Sequence, residues 1–380
     1  MLCIGLALIV LIGANWNEIP RAVRMGGLLL LTAGTQLAAL RRYSQVGEGL
    51  ATGLFFLGNI FYGASIILIA QIYHLGEYMP DGVFWWALGC LPVALLTRNP
   101  WLMLQTLFLA FIWAALEISH GVYPAFAGIF IFGGMYILYT GRQSLLLFLA
   151  VIASLGGFLE YSLCELWSQP GYFRLEAEHL IVTVSLFIFG YGTSLQLGQH
   201  ASVKAKDYGA VLGLWTLRFA LVFLLVMTFE DPWKELLRAN WEHLGSMALI
   251  SGSLVLGAVY FAYRAQKMFP FSAIVLCSML MLPPLVASDT ILLAGELQLI
   301  SNFVLVLSGI WLVIRGIQSG ISHYFFLGVS SIIAVLFFRY IDLIGDYIGA
   351  SILFMVFAAV LLGAAKYWKV HNQRRLAYEN

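Results

Sequence analysis

The chain has 380 residues, of which 61% are hydrophobic and only 10% charged; soluble globular chains run at roughly 45–50% and about 25%. Its 20 basic and 19 acidic side chains cannot clothe a water-soluble surface of this size. That excludes a soluble enzyme, a disordered chain and a secreted disulfide scaffold, and leaves a polytopic membrane protein. A net charge of +1 gives no general attraction to nucleic acid or to anionic surfaces.

A spanning helix takes about 20 mostly apolar residues, within a working range of about 17–25. By that measure the sequence offers fourteen runs, near residues 1–16, 23–40, 50–73, 82–97, 101–118, 122–140, 144–167, 180–198, 208–229, 244–263, 268–287, 290–314, 322–341 and 347–365. They are apolar on every face and joined by short turns such as Arg98-Asn99-Pro100 and Gly141-Arg142-Gln143. Helices meet that description; the alternating pattern of a barrel does not. The expected fold is therefore all-α, a transmembrane helix bundle of twelve to fourteen spans forming one integral membrane domain over residues 1–380. Residues 1–16 carry no basic lead and no small-residue cleavage site, so they read as a first span rather than a signal peptide.

Charge gives an independent check, because cytoplasmic loops retain Lys and Arg. With fourteen spans, one side of the membrane receives Arg41, Arg42, Arg98, Arg142, Lys204, Lys206, Arg264, Lys267, Arg315 and a short basic tail over residues 366–380. The other receives only Arg21, Arg24, Arg174, Lys234 and Arg238. Both termini are thus expected in the cytoplasm. Trp16, Trp85, Trp86, Trp101, Trp167, Trp233, Trp241 and Trp368 fall near span ends, where an indole buries its ring and wets its N–H.

Ionisable groups inside spans cost roughly 2.5–3.5 kcal/mol on insertion scales, so each needs a partner or a role. Arg218 lies near the middle of the run 208–229. A guanidinium keeps its charge and must meet a carboxylate, carbonyls or water. Glu160 and Glu296, several residues inside their spans, are carboxylates that could answer it, and Gln298 and Asn302 extend a polar stripe along the helix of Glu296. These five form the candidate intramembrane polar site: an anion or proton pathway on one reading, ion pairs and hydrogen bonds between helices on the other.

A second group gathers toward the outer leaflet: Gln71 and His74 at the end of the third span, Glu117 and His120 at the end of the fifth, and Arg339, Asp342 and Asp346 near the end of the thirteenth. The spacing of the last three is that of a salt bridge closing a helix end. Glu117 and His120 have a spacing also used by di-iron bundles, but those need a second such motif and further glutamates. The scattered Cys3, Cys90, Cys164 and Cys277 have no metal-ligand spacing and read as small apolar fillers. No metal, cofactor or catalytic residue is expected. Gly49/Gly53, Gly209/Gly213 and Gly345/Gly349 have the spacing that permits close helix approach, which a glycine-rich chain also produces by accident, and Pro92, Pro124 and Pro283-Pro284 interrupt spans.

Several stretches occur together: Ala14-Asn15-Trp16-Asn17-Glu18-Ile19-Pro20, Gln71-Ile72-Tyr73-His74-Leu75, and Phe84-Trp85-Trp86-Ala87-Leu88-Gly89 leading to Leu91-Pro92 and Arg98. Over roughly residues 1–115 the chain resembles a bacterial family described only as predicted membrane proteins with a domain of unknown function. Arg339-Tyr340-Ile341-Asp342-Leu343 resembles the C-terminal half of longer related members. The resemblance implies a bacterial inner-membrane location and assigns no activity and no site residues.

Three functions fit these observations. The first is a transporter or flippase-like protein with an outward-facing polar cavity. The second is a non-catalytic scaffold or subunit of an envelope complex, and the third a membrane enzyme on a lipid-linked envelope substrate. The partners implied are membrane lipids and a small-molecule or lipid-linked substrate, with no nucleic acid.

Overall fold

The computed structural model describes residues 20–45, 48–73, 78–167, 176–286, 293–343 and 347–379, and all of the regular structure among them is helical. The chain divides into two compact units, Met1–Leu175 and Glu176–Asn380. Eleven of the described helices, with the interrupted Met268–Leu285 taken as one, are long and apolar enough to cross a membrane.

The first unit contains α1 (Arg21–Gln45), α2 (Glu48–Tyr73), α3 (Met79–Thr97), α4 (Pro100–Ser119), α5 (Ala127–Thr140) and α6 (Leu145–Trp167). The turn between α3 and α4 follows directly from its residues. Arg98 adopts the left-handed conformation (φ 48°) that ends α3, and Asn99 caps α4 by accepting the Trp101 N–H at 2.9 Å. Pro100 then takes the first helical position, where no amide donor is needed. The Asn99 amide also donates to the Thr52 hydroxyl at 2.8 Å, fixing the turn against α2.

Helices α2 and α3 interlock reciprocally. The Trp86 ring of α3 lies directly on Gly63 of α2, and the Tyr62 ring of α2 lies directly on Gly89 of α3. Each ring is also held by its polar end: Trp86 Nε1 donates to the Asn59 carbonyl at 2.8 Å and the Tyr62 hydroxyl to the Trp85 carbonyl at 3.3 Å. The core of this unit, with Leu102, Met103, Phe130, Ile137 and Leu147 fully buried, lies among α3, α4, α5 and α6.

The second unit contains α7 (Glu178–Gly198), α8 (Val203–Val226), α9 (Glu230–Leu237), α10 (Leu244–Arg264), α11 (Met268–Ser278), a 3₁₀ turn (Met279–Met281), α12 (Pro283–Val286), α13 (Leu293–Ser319), α14 (Ser322–Leu343) and α15 (Tyr347–Glu379). Its long helices pack on small residues. A side chain at Gly192 of α7 would strike the Ala258 backbone of α10 at 2.8 Å. One at Gly209 of α8 would meet the Ser194 carbonyl at 2.8 Å, and one at Gly316 of α13 the Phe325 amide of α14 at 2.5 Å. Where side chains end at hydrogen, backbones approach and dispersion contacts accumulate.

The expected spans and the helices agree over most of the chain, with three differences. The run 122–140 yields only the 14-residue α5, about 21 Å long against an apolar slab of about 30 Å. Its first residues are spent on a turn from Pro124, whose carbonyl accepts the Ala127 N–H at 3.0 Å. The run 268–287 is a broken helix, with the 3₁₀ turn just before Pro283-Pro284, because proline removes a donor and crowds the preceding turn. Pro92, in contrast, is accommodated within α3. The fourteenth run lies within the 33-residue α15. Residues 1–16 lie outside the described residues.

Candidate functional site

The second unit has two chemically distinct ends. At one, α7 begins with Glu178, α9 carries Glu230, Asp231 and Glu235, Glu242 precedes α10, and α13 has Glu296 in its first turn. At the other lie Lys204 and Lys206 at the start of α8, Arg264 at the end of α10, Lys267 before α11, and Arg315 in α13, with Asp207 among them.

The acidic end is tied down by polar contacts. Arg339 of α14 donates from Nη2 to the Thr228 carbonyl at 2.8 Å, and Asn302 of α13 donates from Nδ2 to the same oxygen at 3.3 Å. Thr228 follows the end of α8 and is fully buried, so one helix-end carbonyl without an intrahelical donor gathers two other helices. The Arg339 guanidinium also lies over the Phe229 ring, 5.3 Å from its centre. The amphipathic α9 is clamped beneath: Trp233 is fully buried and its Nε1 donates to the Met227 carbonyl at 2.7 Å, while Lys234 faces out to pair with Glu230 at 3.3 Å. Such a short helix, apolar on one side and charged on the other, has the form of an interfacial element. Glu178, buried at the start of α7, accepts the His243 N–H at 2.9 Å and so closes the turn into α10.

Between the ends an apolar cavity of about 310 Å³ opens among α7, α8, α11 and α13. Ile188, Ala220, Phe223, Ile274 and Leu307 are among its walls, with Thr216, Cys277 and Ser308 as polar points. A second cavity, of about 390 Å³, lies at the basic end and is lined by Lys206, Lys267 and Arg315 together with Tyr191, Gln199 and Tyr324. Leu217, Trp311, Leu312 and Tyr191 line both.

The first unit holds a cavity of about 310 Å³ between α4, α5 and α6, and two polar arrangements. In the first, buried Glu117 accepts the Tyr78 hydroxyl at 2.5 Å and the Trp113 indole N–H at 3.0 Å. Tyr78 stands just outside α3; the bond to the Glu117 carboxylate is the main cause that pushes its phenol up to about 12. His120 caps α4 with Nδ1 at 2.7 Å from the Leu116 carbonyl, so that nitrogen carries a proton, and its ring meets the Tyr78 ring edge-on at 5.4 Å. In the second, three amides relay hydrogen bonds across α1, α2 and α4. Gln36 Nε2 donates to Asn59 Oδ1 at 3.1 Å, Asn59 Nδ2 to Gln105 Oε1 at 2.9 Å, and Gln105 Nε2 to the Phe56 carbonyl at 3.3 Å.

The structure brings some of the expected residues together. Arg339 and Asn302, placed in separate groups by the sequence, share the Thr228 carbonyl, and Asn302 also donates to the Gln298 carbonyl at 2.8 Å. Glu117 and His120 share Tyr78, which the sequence did not single out. Arg218 is half-buried in α8 with its guanidinium 4.9 Å from the centre of the Trp215 ring. Glu160 is half-buried in α6 of the first unit, and Glu296 is exposed at the start of α13 of the second. Gln71 is exposed near the end of α2. His74, Asp346 and the side chain of Asp342 lie outside the described residues, as does Gly345 of the Gly345/Gly349 pair. Among the described residues, none of the expected ones lines any of the three cavities.

Among the signals missed, Trp113 and Glu117 are four apart on a helix and were legible as neighbours. Tyr78 and the three relayed amides meet across distant segments. No curated protein and no solved structure matches this chain. Residues 1–103, a span that ends just inside α4, match the model of a family described as "Predicted membrane protein (DUF2157)".

Proposed function

We propose that this multi-pass membrane protein moves an amphiphilic molecule across a bacterial inner membrane, as a transporter of the flippase kind. One observation carries the reading: the apolar cavity of about 310 Å³ between α7, α8, α11 and α13. Interiors are ordinarily packed to near crystal density, and a space within the range of ligand pockets, about 300–1,000 Å³, is a natural seat for an acyl chain. The reading takes residues 1–16, the short α5 and α15 as crossings beside the eleven candidate spans; on that count both termini are cytoplasmic and the positive-inside bias turns the basic end to the cytoplasm. An outward-facing polar cavity was expected from residues that line none of the cavities, so the proposal rests on the apolar one instead.

The test is transbilayer movement of a fluorescent phospholipid in proteoliposomes. Ala220 lines the cavity, and Ala220→Trp should fill it, slowing movement at least tenfold while the variant still inserts and runs as the parent on gel filtration. The proposal fails if the parent moves lipid no faster than protein-free liposomes, or if the filled variant is as fast as the parent.

A scaffold role is the second reading. The observation that favours it is the engagement of Arg339 and Asn302 with the backbone of another helix, which is what interhelical fastening requires. It predicts a stoichiometric partner on purification and no lipid movement.

A further inference from the structure

We infer that the basic end of the second unit is a recognition site for the phosphate headgroup of an anionic lipid whose acyl chain enters the adjoining apolar cavity. This deepens the proposed function and rests on the same cavity. Lys206, Lys267 and Arg315 come from three different elements, α8, the turn before α11, and α13, and line one space of about 390 Å³. No Asp or Glu lines that space, and none of the three cations is in an ion pair among the described residues. Left to themselves, three cations converging on a cleft repel one another. An anion placed among them removes that repulsion and gains charge-assisted hydrogen bonds, for which the planar fork of Arg315 suits two phosphate oxygens at once. Tyr324 and Gln199 supply neutral donors around the same space for the remaining oxygens of a headgroup.

The tail follows from continuity. The cationic space and the apolar cavity share Tyr191, Leu217, Trp311 and Leu312 as lining, so a charged head at the first places a chain at the second. A free phosphate would use only the polar half. Basic pockets between spanning helices are the form in which anionic lipid heads are held.

Binding can be measured on the purified full chain in detergent by native mass spectrometry, titrating phosphatidylglycerol, phosphatidylcholine of the same acyl chains, and inorganic phosphate. Phosphatidylglycerol should bind at least tenfold tighter than phosphatidylcholine. Lys206→Gln, Lys267→Gln and Arg315→Gln should each weaken it about fivefold, as expected for one surface cation near a lipid head, and the triple variant should lose the preference. Arg264→Gln is the control, since Arg264 is at the same end but lines neither cavity. Equal binding of the two lipids overturns the inference, as does an equal loss in the control. So does inorganic phosphate that binds as tightly as the lipid. If the lipid binds with these preferences but does not move across proteoliposomes, the recognition site stands and the transport reading fails. Movement that ignores the headgroup and is unchanged in the triple variant leaves transport standing and removes the site.

Discussion

Asn59 is 1% exposed, yet both ends of its side-chain amide are used: it accepts from Gln36 and donates to Gln105. In a membrane interior no water takes over when such a partner is lost, although the unfolded helices find other partners within the lipid, which limits the worth of each bond. Asn59→Ala should therefore lower stability by about 1–2 kcal/mol, more than Gln36→Ala, which removes only the half-buried end of the relay. Thermal unfolding in detergent checks both, and a melt for Asn59→Ala at the parent temperature would show that the relay holds nothing. The relay escapes a reading of the sequence for a physical reason. Charged groups in spans announce their cost wherever they lie, but a neutral amide is informative only once its partner is known, and these partners are 23 and 46 residues away. Arg339 illustrates the same limit from the other side: its need for a partner was legible, but one partner is the carbonyl of Thr228, 111 residues distant and invisible in any side-chain pattern.

Between elements, glycine decides how closely helices approach, and its sequence spacing is an uneven guide. Gly209 and Gly213 do face α7, where added side chains would meet the Ser194 carbonyl at 2.8 Å and the Ser194 hydroxyl at 2.9 Å, whereas Gly49, of a pair with the same spacing, has open space around it. The tightest fit in the first unit, Gly63 beneath Trp86, has no such motif at all. Because the hydrogen bond to Asn59 holds the Trp86 ring, it cannot swing aside. Gly63→Ala should then destabilise by about 1–3 kcal/mol, the usual cost of overpacking. Gly156→Ala in α6, with nothing within 4 Å of the added carbon, should be neutral or stabilising by about 0.5–1 kcal/mol, because glycine is the poorer helix former. Equal melting shifts for the two would remove the argument from close approach.

For the molecule as a whole, the alternation of basic and acidic connections predicts that the turn at residues 204–206 and the tail beyond Lys366 face the same compartment. Cysteine substitutions at Lys204 and Lys369, labelled from either side of sealed vesicles, should react from the cytoplasmic side only; opposite accessibility would overturn the topology. The amino-acid sequence by itself determined that the protein is helical and membrane-bound, and where most of its long helices lie. Hydropathy, proline and charge are properties of the local chain, and the bilayer asks about 20 apolar residues of a typical span. Only the tertiary structure decided that α5 begins late and has 14 residues, that Arg339 and Asn302 meet at one carbonyl, and that Lys206, Lys267 and Arg315 line one space beside an apolar cavity. Cavities and convergent charges belong to the gaps between helices, and a gap is set by which faces turn toward each other, which similarly apolar faces leave unmarked.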